Sequence, residues 1–527
     1  MSARTPVTWP SIPAMVRDGA GRWGDTDAIV DGDRRTTFAG LRDLVDGAAR
    51  GLLASGIEPG DRVAVWAPNS TEWIVAALGI TTAGGVLVPI NTRFKGTEAA
   101  FVLARSGARA LFTVRGFLDT DYPALLASTD VELPALERMI LLAGEPGDGA
   151  VTFDDFVASG ASVPANALDA RVDAIGADDP SDVVFTSGTT GSPKGVVMTH
   201  GQTLRAYLDW CDWADLRPGD RYLIANPFFH IFGYKAGCLA CLMRGATNYP
   251  LAVFDAGVVL EIVEREHITV LPGPPTIYHS LIEHPDTAQR DIASLRVGVT
   301  GAADIPVELI RRVREELPFE RILTGYGLTE AGTVTGSKPD DDFEHIATTV
   351  GVPWPGFEVR VVEESGVDAP TGEPGEVVVR GETVTRGYLD DPEATAAAID
   401  GDGWLHTGDL GTIDADGYVR IVGRIKDMFI VGGFNAYPAE IENLLLRHPR
   451  IEQVAVIGVP DERLGEVAKA FVVLRAGDAI EPGEIIAWSR VEMANFKVPR
   501  FVEFLDALPV NATGKVVKDE LRERSAQ

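Results

Sequence analysis

The chain has 527 residues, which is more than one hydrophobic core usually covers, so we expect two or more domains. Apolar residues make up 45% of the chain and charged residues 24%, as in an ordinary soluble globular protein. The net charge of −30 argues against nucleic acid as a main partner, because affinity for nucleic acid comes largely from neutralising phosphates.

The N-terminus lacks the charged and then apolar pattern of a signal peptide, and no run approaches the ~18 apolar residues that a membrane helix needs. The three cysteines, Cys211, Cys238 and Cys241, are too few for a disulfide framework. Cys238 and Cys241 have C-x-x-C spacing, but no second pair completes a zinc site, so we expect them to pack in the core. These features predict a cytoplasmic protein without a transmembrane segment.

Strand-like and helix-like runs alternate through most of the chain. The first predicted elements are strands at 62–66 and 85–90, a helix at 71–82, strands at 181–186 and 196–199, and a helix after Gly201. Alternation of this kind predicts α/β layering with largely parallel sheets.

Beyond about Gly351 the predicted strands become short and are separated by turns. They lie at 359–362, 376–380, 419–422 and 428–431. A helix at 438–447, strands at 454–458 and 468–474, and a helix at 482–493 follow. The last stretch is long enough for a small core of its own. The sequence thus predicts an α/β fold with a large N-terminal domain of layered sheets and helices and a β-rich subdomain (1–424), and a small α+β C-terminal domain (425–527).

The loop between the strands at 181–186 and 196–199 has the donor density of an anion-binding loop. Gly188, Gly191 and Lys194 are spaced G-x-x-G-x-x-K, but Gly195 stands where a Walker A loop has its Mg²⁺-binding hydroxyl. The hydroxyls come earlier, at Thr186, Ser187, Thr189, Thr190 and Ser192. Glycines let backbone N–H groups converge, and the lysine adds charge. The loop is therefore predicted to bind phosphate without being a Walker A loop.

The ten residues from Thr186 to Gly195, Thr-Ser-Gly-Thr-Thr-Gly-Ser-Pro-Lys-Gly, resemble the signature of the adenylate-forming superfamily. That superfamily contains acyl-CoA synthetases, adenylation domains of peptide synthetases, and luciferases. Further motifs follow in the family's order: Asn-Pro-Phe-Phe-His-Ile-Phe-Gly (226–233), Thr-Gly-Tyr-Gly-Leu-Thr-Glu (324–330), Gly-Glu-Val-Val-Val-Arg-Gly (375–381), Trp-Leu-His-Thr-Gly-Asp (404–409), Gly-Arg-Ile-Lys-Asp (423–427) and Pro-Val-Asn-Ala-Thr-Gly-Lys (509–515). The resemblance covers nearly the whole chain.

The resemblance implies a two-step reaction that consumes ATP and coenzyme A. A carboxylate attacks the α-phosphate of ATP to give acyl-AMP and pyrophosphate, and a thiol then displaces AMP. Both reactants of the first step are anions, so cations must bring them together. The implied nucleotide-binding residues are Thr186, Ser187, Gly188, Thr189, Thr190, Gly191, Lys194, Gly301, Tyr326, Thr329, Asp409, Arg424 and Lys515.

The resemblance also implies individual roles within that set. Tyr326 would stack on adenine, Thr329 would touch the α-phosphate, and the loop with its catalytic Thr186 would hold the β- and γ-phosphates. Glu330 would coordinate Mg²⁺, a hard ion that prefers oxygen ligands. Asp409, placed in a turn before a strand at Ile413, would accept hydrogen bonds from ribose hydroxyls.

By the same resemblance the last residues of the chain take part in catalysis. Lys515 would enter the active site for adenylation and stabilise the pentavalent phosphate, a role suited to its compact charge. Lys426 matches a hinge about which the C-terminal domain rotates between the half-reactions. Gly432 and Gly433 would then lie near the channel for the pantetheine of CoA, where the lack of a side chain permits close approach.

Two residues near 230 bear on the acid. The resemblance makes His230, among aromatic residues, a wall or gate of the acid pocket, with Gly325 also at the substrate; a packed histidine is the alternative. Lys235 opens an apolar helix-like run, where burial without a partner is costly. It either extends to solvent from the helix start, or hydrogen-bonds a polar group of the acid such as a ketone.

The whole chain resembles actinobacterial fatty-acyl-CoA ligases. Phe-His-Ile-Phe-Gly-Tyr-Lys-Ala-Gly (229–237) also resembles the subgroup that activates the propanoate side chain of a methyl-indanedione left from steroid rings. A medium- or long-chain fatty acid is the alternative substrate. An amino-acid adenylating enzyme and a non-catalytic nucleotide-binding relative are further alternatives, and the oligomeric state, a homodimer included, is open.

Overall fold

The computed structural model describes residues 4–147, 149–186, 193–301, 307–432, 434–461, 463–475, 477–511 and 515–526. No helix within these ranges is both long and apolar enough to cross a membrane.

Residues 12–173 form alternating helices and strands, as predicted. The helices are α1 (Ile12–Trp23), α2 (Phe38–Ala54), α3 (Thr71–Thr82), α4 (Gly96–Ser106), α5 (Tyr122–Ala127), α6 (Phe153–Ser159) and α7 (Ala165–Asp173). The strands are β1 (Asp27–Asp31), β2 (Arg34–Thr37), β3 (Arg62–Trp66), β4 (Val86–Pro89), β5 (Ala110–Phe117), β6 (Thr120–Asp121), β7 (Arg138–Ala143) and β8 (Ala150–Thr152). Helix α3 begins where Ser70 caps the backbone N–H of Trp73.

The next part of the chain, up to residue 348, continues the alternation. Its strands are β9 (Pro180–Thr186), β10 (Lys194–Thr199), β11 (Arg221–Ile224), β12 (Thr247–Pro250), β13 (Val297–Thr300), β14 (Arg321–Leu328) and β15 (Gly332–Gly336). Its helices are α8 (His200–Trp213), α9 (Ile231–Gly233), α10 (Ala240–Arg244), α11 (Ala256–Glu266), α12 (Pro275–Glu283), α13 (Val307–Glu316) and α14 (Phe343–Thr348). A π-helical segment, Tyr234–Leu239, joins α9 to α10.

Short strands dominate after residue 351, again as predicted. They are β16 (Val352–Pro353), β17 (Phe357–Val362), β18 (Gly375–Gly381), β19 (Leu405–Ile413) and β20 (Val419–Arg424), with helix α15 (Pro392–Ala398). A short 3₁₀ helix, Ile425–Asp427, leads to the last unit. That unit contains β21 (Phe429–Val431), β22 (Phe434–Ala436), α16 (Pro438–Leu445), β23 (Ile451–Asp461), β24 (Gly465–Leu474), α17 (Pro482–Glu492), β25 (Phe501–Phe504) and α18 (Lys518–Ala526).

The strands form layered sheets with buried faces. An eight-stranded sheet has the order β10-β9-β4-β3-β5-β7-β8, with β6 beside β5, and its ladder from β9 to β8 is parallel. Strand β3 is almost wholly buried, as expected of a parallel strand covered on both faces. The sheet β17-β18-β19-β20 is antiparallel, and the last unit builds a sheet of its own from β21 to β25. The predicted α/β fold with a separate small α+β C-terminal domain is confirmed.

The buried side chains explain how the layers hold together. One large apolar core lies around β3, β4 and α3 and extends to α8 and the π-helical segment, and a separate core fills the C-terminal domain. Cys238 and Cys241 are buried and free, so their predicted packing in the core is confirmed, and Cys211 is buried as well. Burial of this apolar surface is the main force that fixes the strand ends around the cleft described next.

Candidate active site

A large cleft lies between the carboxyl ends of β9 and β13, the turn after β14, and the C-terminal domain. Its volume is about 2570 Å³, against roughly 300–1,000 Å³ for an ordinary small-molecule pocket. The cleft therefore has room for more than one substrate. The predicted site residues that line it are Thr186, Lys194, His230, Gly301, Gly325, Tyr326, Thr329, Glu330, Asp409, Arg424, Lys426 and Lys515.

The loop predicted to bind phosphate is anchored by a β-hairpin. Thr186 and Lys194 are register partners at the open end of antiparallel β9 and β10. The Lys194 Nζ lies 5.1 Å from the centre of the Tyr388 ring. The remaining predicted loop residues lie outside the described residues; they are Ser187, Gly188, Thr189, Thr190 and Gly191.

Glu330 lies in the tight turn between β14 and β15. Its Oε1 accepts a hydrogen bond from the Tyr388 hydroxyl at 3.0 Å, and its carbonyl accepts one from the Thr385 N–H at 2.6 Å. Burial raises the pKa of the Glu330 carboxyl. Within the described ranges no group of three or more metal-ligating side chains occurs. A cation here would therefore have one protein carboxylate and would take its other ligands from phosphate and water, as Mg²⁺ does in nucleotide sites.

Asp409 joins two other predicted nucleotide-binding residues. The Tyr326 hydroxyl donates to its Oδ2 at 2.6 Å, and the Arg424 Nε lies 2.9 Å from its Oδ1. The turn predicted for Asp409 is wrong, because the residue lies inside β19, opposite Arg424 on β20. This ladder pairing explains the contact: two neighbouring strands present the carboxylate and the guanidinium side by side. Burial and the Asp409 charge raise the pKa of Tyr326.

His230 caps the short helix α9 and lines the part of the cleft where the acid is predicted to bind. Its Nδ1 accepts a hydrogen bond from the Phe232 N–H at 3.2 Å, so Nε2 carries the proton of the neutral ring. Burial, together with the positive charge of Lys515, lowers the pKa of His230 to about 4. The ring is therefore neutral at pH 7. His230 and Lys515 both line the cleft.

Lys515 is held at the cleft by the loop that carries it. The Asn511 N–H donates to the Lys515 carbonyl at 2.8 Å, and the Asn511 side chain accepts from the Lys515 N–H at 3.0 Å. Arg93 of the N-terminal domain donates to the Asn511 carbonyl at 3.5 Å. The loop that carries Lys515 therefore faces the cleft, where the resemblance predicted this lysine to lie.

Lys235 does not extend to solvent. Only 1% of its side chain is exposed, and its Nζ lies 2.8 Å from Oδ1 of Asp182, which is equally buried. The Lys235 Nζ also donates to the Thr203 hydroxyl at 3.1 Å. The interpretation as a lysine reaching water from a helix start is wrong, because Asp182 supplies the partner that its burial needs. Lys235 lies behind the wall that His230 forms, rather than on the surface of the cleft.

The predicted hinge residue lies where the two domains join. Lys426 is exposed in the 3₁₀ helix Ile425–Asp427, and the neighbouring Asp427 pairs with Arg522 at 2.6 Å. Gly432 has a φ of +58°, which favours glycine, and its N–H donates to the Leu464 carbonyl at 2.8 Å. Gly432 is not among the described residues that line the cleft. Gly433 lies outside the described residues.

Sequence reasoning missed two residues of this region. Tyr388 links Lys194 to Glu330, yet it follows an ordinary Arg-Gly turn and carries no motif of its own. Asp182 carried a usable signal: it is an acid among the apolar residues of β9, in Ser-Asp-Val-Val-Phe. A buried carboxylate needs a cation beside it, and Lys235 was a lysine in an apolar run without an assigned partner. The two residues could therefore have been predicted to pair.

Comparison with known proteins gives matches along nearly the whole chain. Residues 16–389 match the model of the AMP-binding enzyme family, and residues 440–515 that of the AMP-binding enzyme C-terminal domain. Two curated relatives are named 3-[(3aS,4S,7aS)-7a-methyl-1,5-dioxo-octahydro-1H-inden-4-yl]propanoyl:CoA ligase. The one from Rhodococcus jostii is 49% identical and the one from Mycobacterium tuberculosis 50% identical, each over 97% of this chain and 98% of the relative.

A solved structure shares the fold. An anthranilate–CoA ligase in complex with anthranoyl-AMP superimposes with a TM-score of 0.89 at 29% identity, covering 100% of this chain and 99% of the other.

Proposed function

Because this chain belongs to the family of AMP-binding enzymes and is an ATP-dependent, AMP-forming acid–CoA ligase, we propose that its acid is a ring propanoate. The family and the reaction that the ordered motifs predicted are thus confirmed. The proposed acid carries its propanoate on a methyl-substituted octahydroindene, a saturated bicycle with two ketones. The observation that carries this proposal is that the two relatives named for this acid match about half of all positions over nearly the full length.

The acid end of the cleft suits a fused ring. Trp210, Trp213, Phe232 and the small Ala236 are among the residues that line the cleft. Flat aromatic walls favour a rigid apolar body, and a few polar groups then fix its orientation. The neutral His230, whose Nε2–H is a donor, is proposed to face the carboxylate of the acid.

In the first step, one oxygen of the acid carboxylate forms a bond to the α-phosphorus as the bond to the β-phosphate oxygen breaks, and pyrophosphate leaves. Lys515 and Lys194 are proposed to lower the repulsion between the two anions, with Thr329 at the α-phosphate and Tyr326 and Gly301 at adenine. Glu330 would hold Mg²⁺, which neutralises phosphate charge when bound. Asp409 and Arg424 are proposed to hold the ribose.

The second step needs the thiol of CoA at the same carbonyl. The thiol loses its proton to water, the sulfur bonds to the acyl carbon, and the bond from that carbon to the phosphate oxygen breaks, so AMP leaves with the bonding electrons. We propose that residues 425–527 move as one domain against residues 1–424 about Lys426, which removes Lys515 and brings Gly432 and Gly433 toward the pantetheine. The short 3₁₀ helix at this junction is exposed, so it can change its backbone dihedrals without disturbing a core.

A medium- or long-chain fatty acid is the second candidate, because the chain as a whole resembles fatty-acyl-CoA ligases. An amino acid is disfavoured, since the described stretch 226–233 offers no carboxylate for its ammonium group. Since ATP and CoA are cytoplasmic substrates, the cytoplasm is the proposed location. A homodimer stays a prediction that light scattering can check.

The proposal is tested by a CoA-consumption screen with mass spectrometry of the thioester. The acids are the dioxo-indane propanoate, its analogue without ketones, octanoate, palmitate, a cinnamate and amino acids. We expect the highest kcat/KM with the dioxo-indane propanoate. A higher kcat/KM with octanoate or palmitate would assign the enzyme to fatty acids instead, and amino-acid-dependent pyrophosphate exchange without CoA use would indicate an adenylating enzyme.

A further inference from the structure

A sealed ion pair lies directly behind the wall of the acid pocket. Asp182 and Lys235 are each only 1% exposed and approach to 2.8 Å. The narrow space around them is bounded by Phe228, His230 and Tyr234, and no part of it is wide enough for a water molecule. The pair therefore meets neither solvent nor nucleotide, and any role in the reaction must act through the elements that it joins.

The strand side of the pair is held rigidly. Asp182 is the register partner of Leu87 on β4 and of Met198 on β10, so β9 has a neighbour on both sides at this point. The Ser181 hydroxyl donates to Asp182 Oδ2 at 2.7 Å. Four residues further, β9 ends at Thr186, where the phosphate loop begins.

The other side of the pair is the unusual element. Lys235 is the second residue of the π-helical segment Tyr234–Leu239, a geometry that is rare and that proteins use mostly at functional sites. His230 precedes this segment, and Ala236, the residue after Lys235, lines the cleft. A return of the segment to α-helical geometry would rotate Ala236 and its neighbours relative to the acid, because one residue corresponds to about 100° in an α-helix.

We propose that the Asp182–Lys235 pair is a positioning device: it pins the π-helical segment to β9 and so fixes the acid-pocket wall relative to the phosphate loop. This inference rests on the proposed function in taking the cleft beside His230 as the acid pocket. The sequence left open a direct hydrogen bond from Lys235 to a ketone of the acid. In the present proposal Lys235 instead affects binding of the acid indirectly, by fixing the position of the pocket wall.

The chemistry of a buried pair supports a role in geometry rather than in stability. Taking two charges out of water offsets most of their attraction, so well-packed apolar residues of similar volume stabilise a core as well or better. An apolar pair has no comparable attraction, however, whereas the Lys235 ammonium lies 2.8 Å from Asp182 Oδ1 and donates a hydrogen bond to the Thr203 hydroxyl. Removing both charges should therefore preserve folding and release the wall.

The decisive variant is the double replacement Asp182→Leu with Lys235→Met. Acid-dependent ATP–pyrophosphate exchange gives KM for ATP and for the acid that the wild type uses best in the screen. We expect a melting temperature near that of the wild type, a KM for the acid raised about tenfold or more, and a KM for ATP within about twofold, because a wall displaced by about 1 Å costs much of the binding geometry. Lys235→Met alone should lower the melting temperature, since it leaves Asp182 charged and unpaired.

Lys469→Met is the matched control, because the Lys469–Glu503 pair has the same 2.8 Å separation but lies in the C-terminal domain. It should leave both KM values unchanged. An unchanged KM for the acid in the folded double variant would overturn the proposal, and so would an equal rise of both KM values, which indicates a merely structural role. If the wild type consumes no CoA with any ring propanoate, the proposed substrate is wrong. The role of the pair is then tested with octanoate or palmitate.

Discussion

Two buried aspartates in this enzyme hold a cation each, yet their surroundings differ. Asp409 meets Arg424, whose side chain is 47% exposed at the edge of the cleft, whereas Asp182 meets Lys235, of which 1% is exposed. A half-open pair can accept an incoming hydroxyl, such as the ribose hydroxyl proposed for Asp409 and Arg424. A sealed pair cannot, so it acts only through the geometry that it imposes. Under the two proposals, the half-open pair binds substrate and the sealed pair positions the residues that bind it.

The largest effect is expected at the open end of the cleft, from Lys515→Ala. The variant should lose acyl-AMP formation by about a thousandfold, because it removes a point charge from the site where charge develops. It should keep thioester formation from supplied acyl-AMP and CoA. The two half-reactions are measured separately, by pyrophosphate release and by thioester formation. An equal loss in both would place Lys515 outside the adenylation step.

Asp409→Asn tests the half-open pair directly. It removes the charge that faces Tyr326 and Arg424, and a hydrogen bond to a charged group contributes about 1.5–3 kcal/mol. We expect KM for ATP to rise about tenfold or more while KM for the acid changes little, the reverse of the pattern expected for the sealed pair. Glu358→Gln is the control, since Glu358 pairs with Arg380 on the exposed face of the same sheet. A rise in KM for the acid alone would contradict the assignment.

The buried imidazole of His200 should make the free energy of unfolding depend on pH. Burial lowers the pKa of His200, which is 1% exposed, to about 4, against an ordinary value of 6.5. Since the folded-state pKa is the lower one, the unfolded state binds more protons as the pH falls from about 6.5 to 4, and the folded state loses up to about 3 kcal/mol over that window. Melting temperatures at pH 7.5 and 5 measure this. His200→Gln should weaken the dependence, whereas His345→Gln, at an exposed histidine, should not.

The smallest effect concerns the Tyr234 hydroxyl beside the sealed pair. It is buried and has no hydrogen-bond partner among the described residues. Tyr234→Phe should therefore leave stability unchanged or raise it by about 1 kcal/mol, because it removes a polar group whose hydration was lost without replacement. Tyr278→Phe is the matched control. That buried hydroxyl donates to the Leu271 carbonyl, so its removal should lower stability. A clear loss of stability in Tyr234→Phe would reveal a partner that forms in solution.

The sequence was most informative where a structural element or a site residue belongs to a local pattern. The strand at Arg62–Trp66 and the helix at Thr71–Thr82 were predicted with their observed bounds, because continuous burial and a serine cap leave a clear local pattern. Asp409 was found by its motif but misplaced in a turn, since the ladder with β20 that extends its strand is non-local.

Contacts between distant segments could not be predicted from the sequence. Asp182 and Lys235 lie 53 positions apart on different elements, and the local sequence around each does not indicate which acidic side chain pairs with which basic one. The π-helical geometry around Lys235 also departs from the helix that the apolar run predicts, because tertiary contacts, not propensity, maintain it. Tyr388 was missed for the same reason: its role arises from proximity to Glu330, 58 positions away.

The closeness of Lys515 to His230 has a consequence for observing the catalytic cycle. The imidazole senses the ammonium of a residue that belongs to the other domain, and this charge contributes to its low pKa. In the proposed rotation of the C-terminal domain, that contribution would vanish and the pKa of His230 would rise. With eight histidines in the chain, the ring resonances can be assigned one variant at a time. The chemical shift of the His230 ring then reports, without any attached label, the position of the C-terminal domain and so the half-reaction for which the enzyme is arranged.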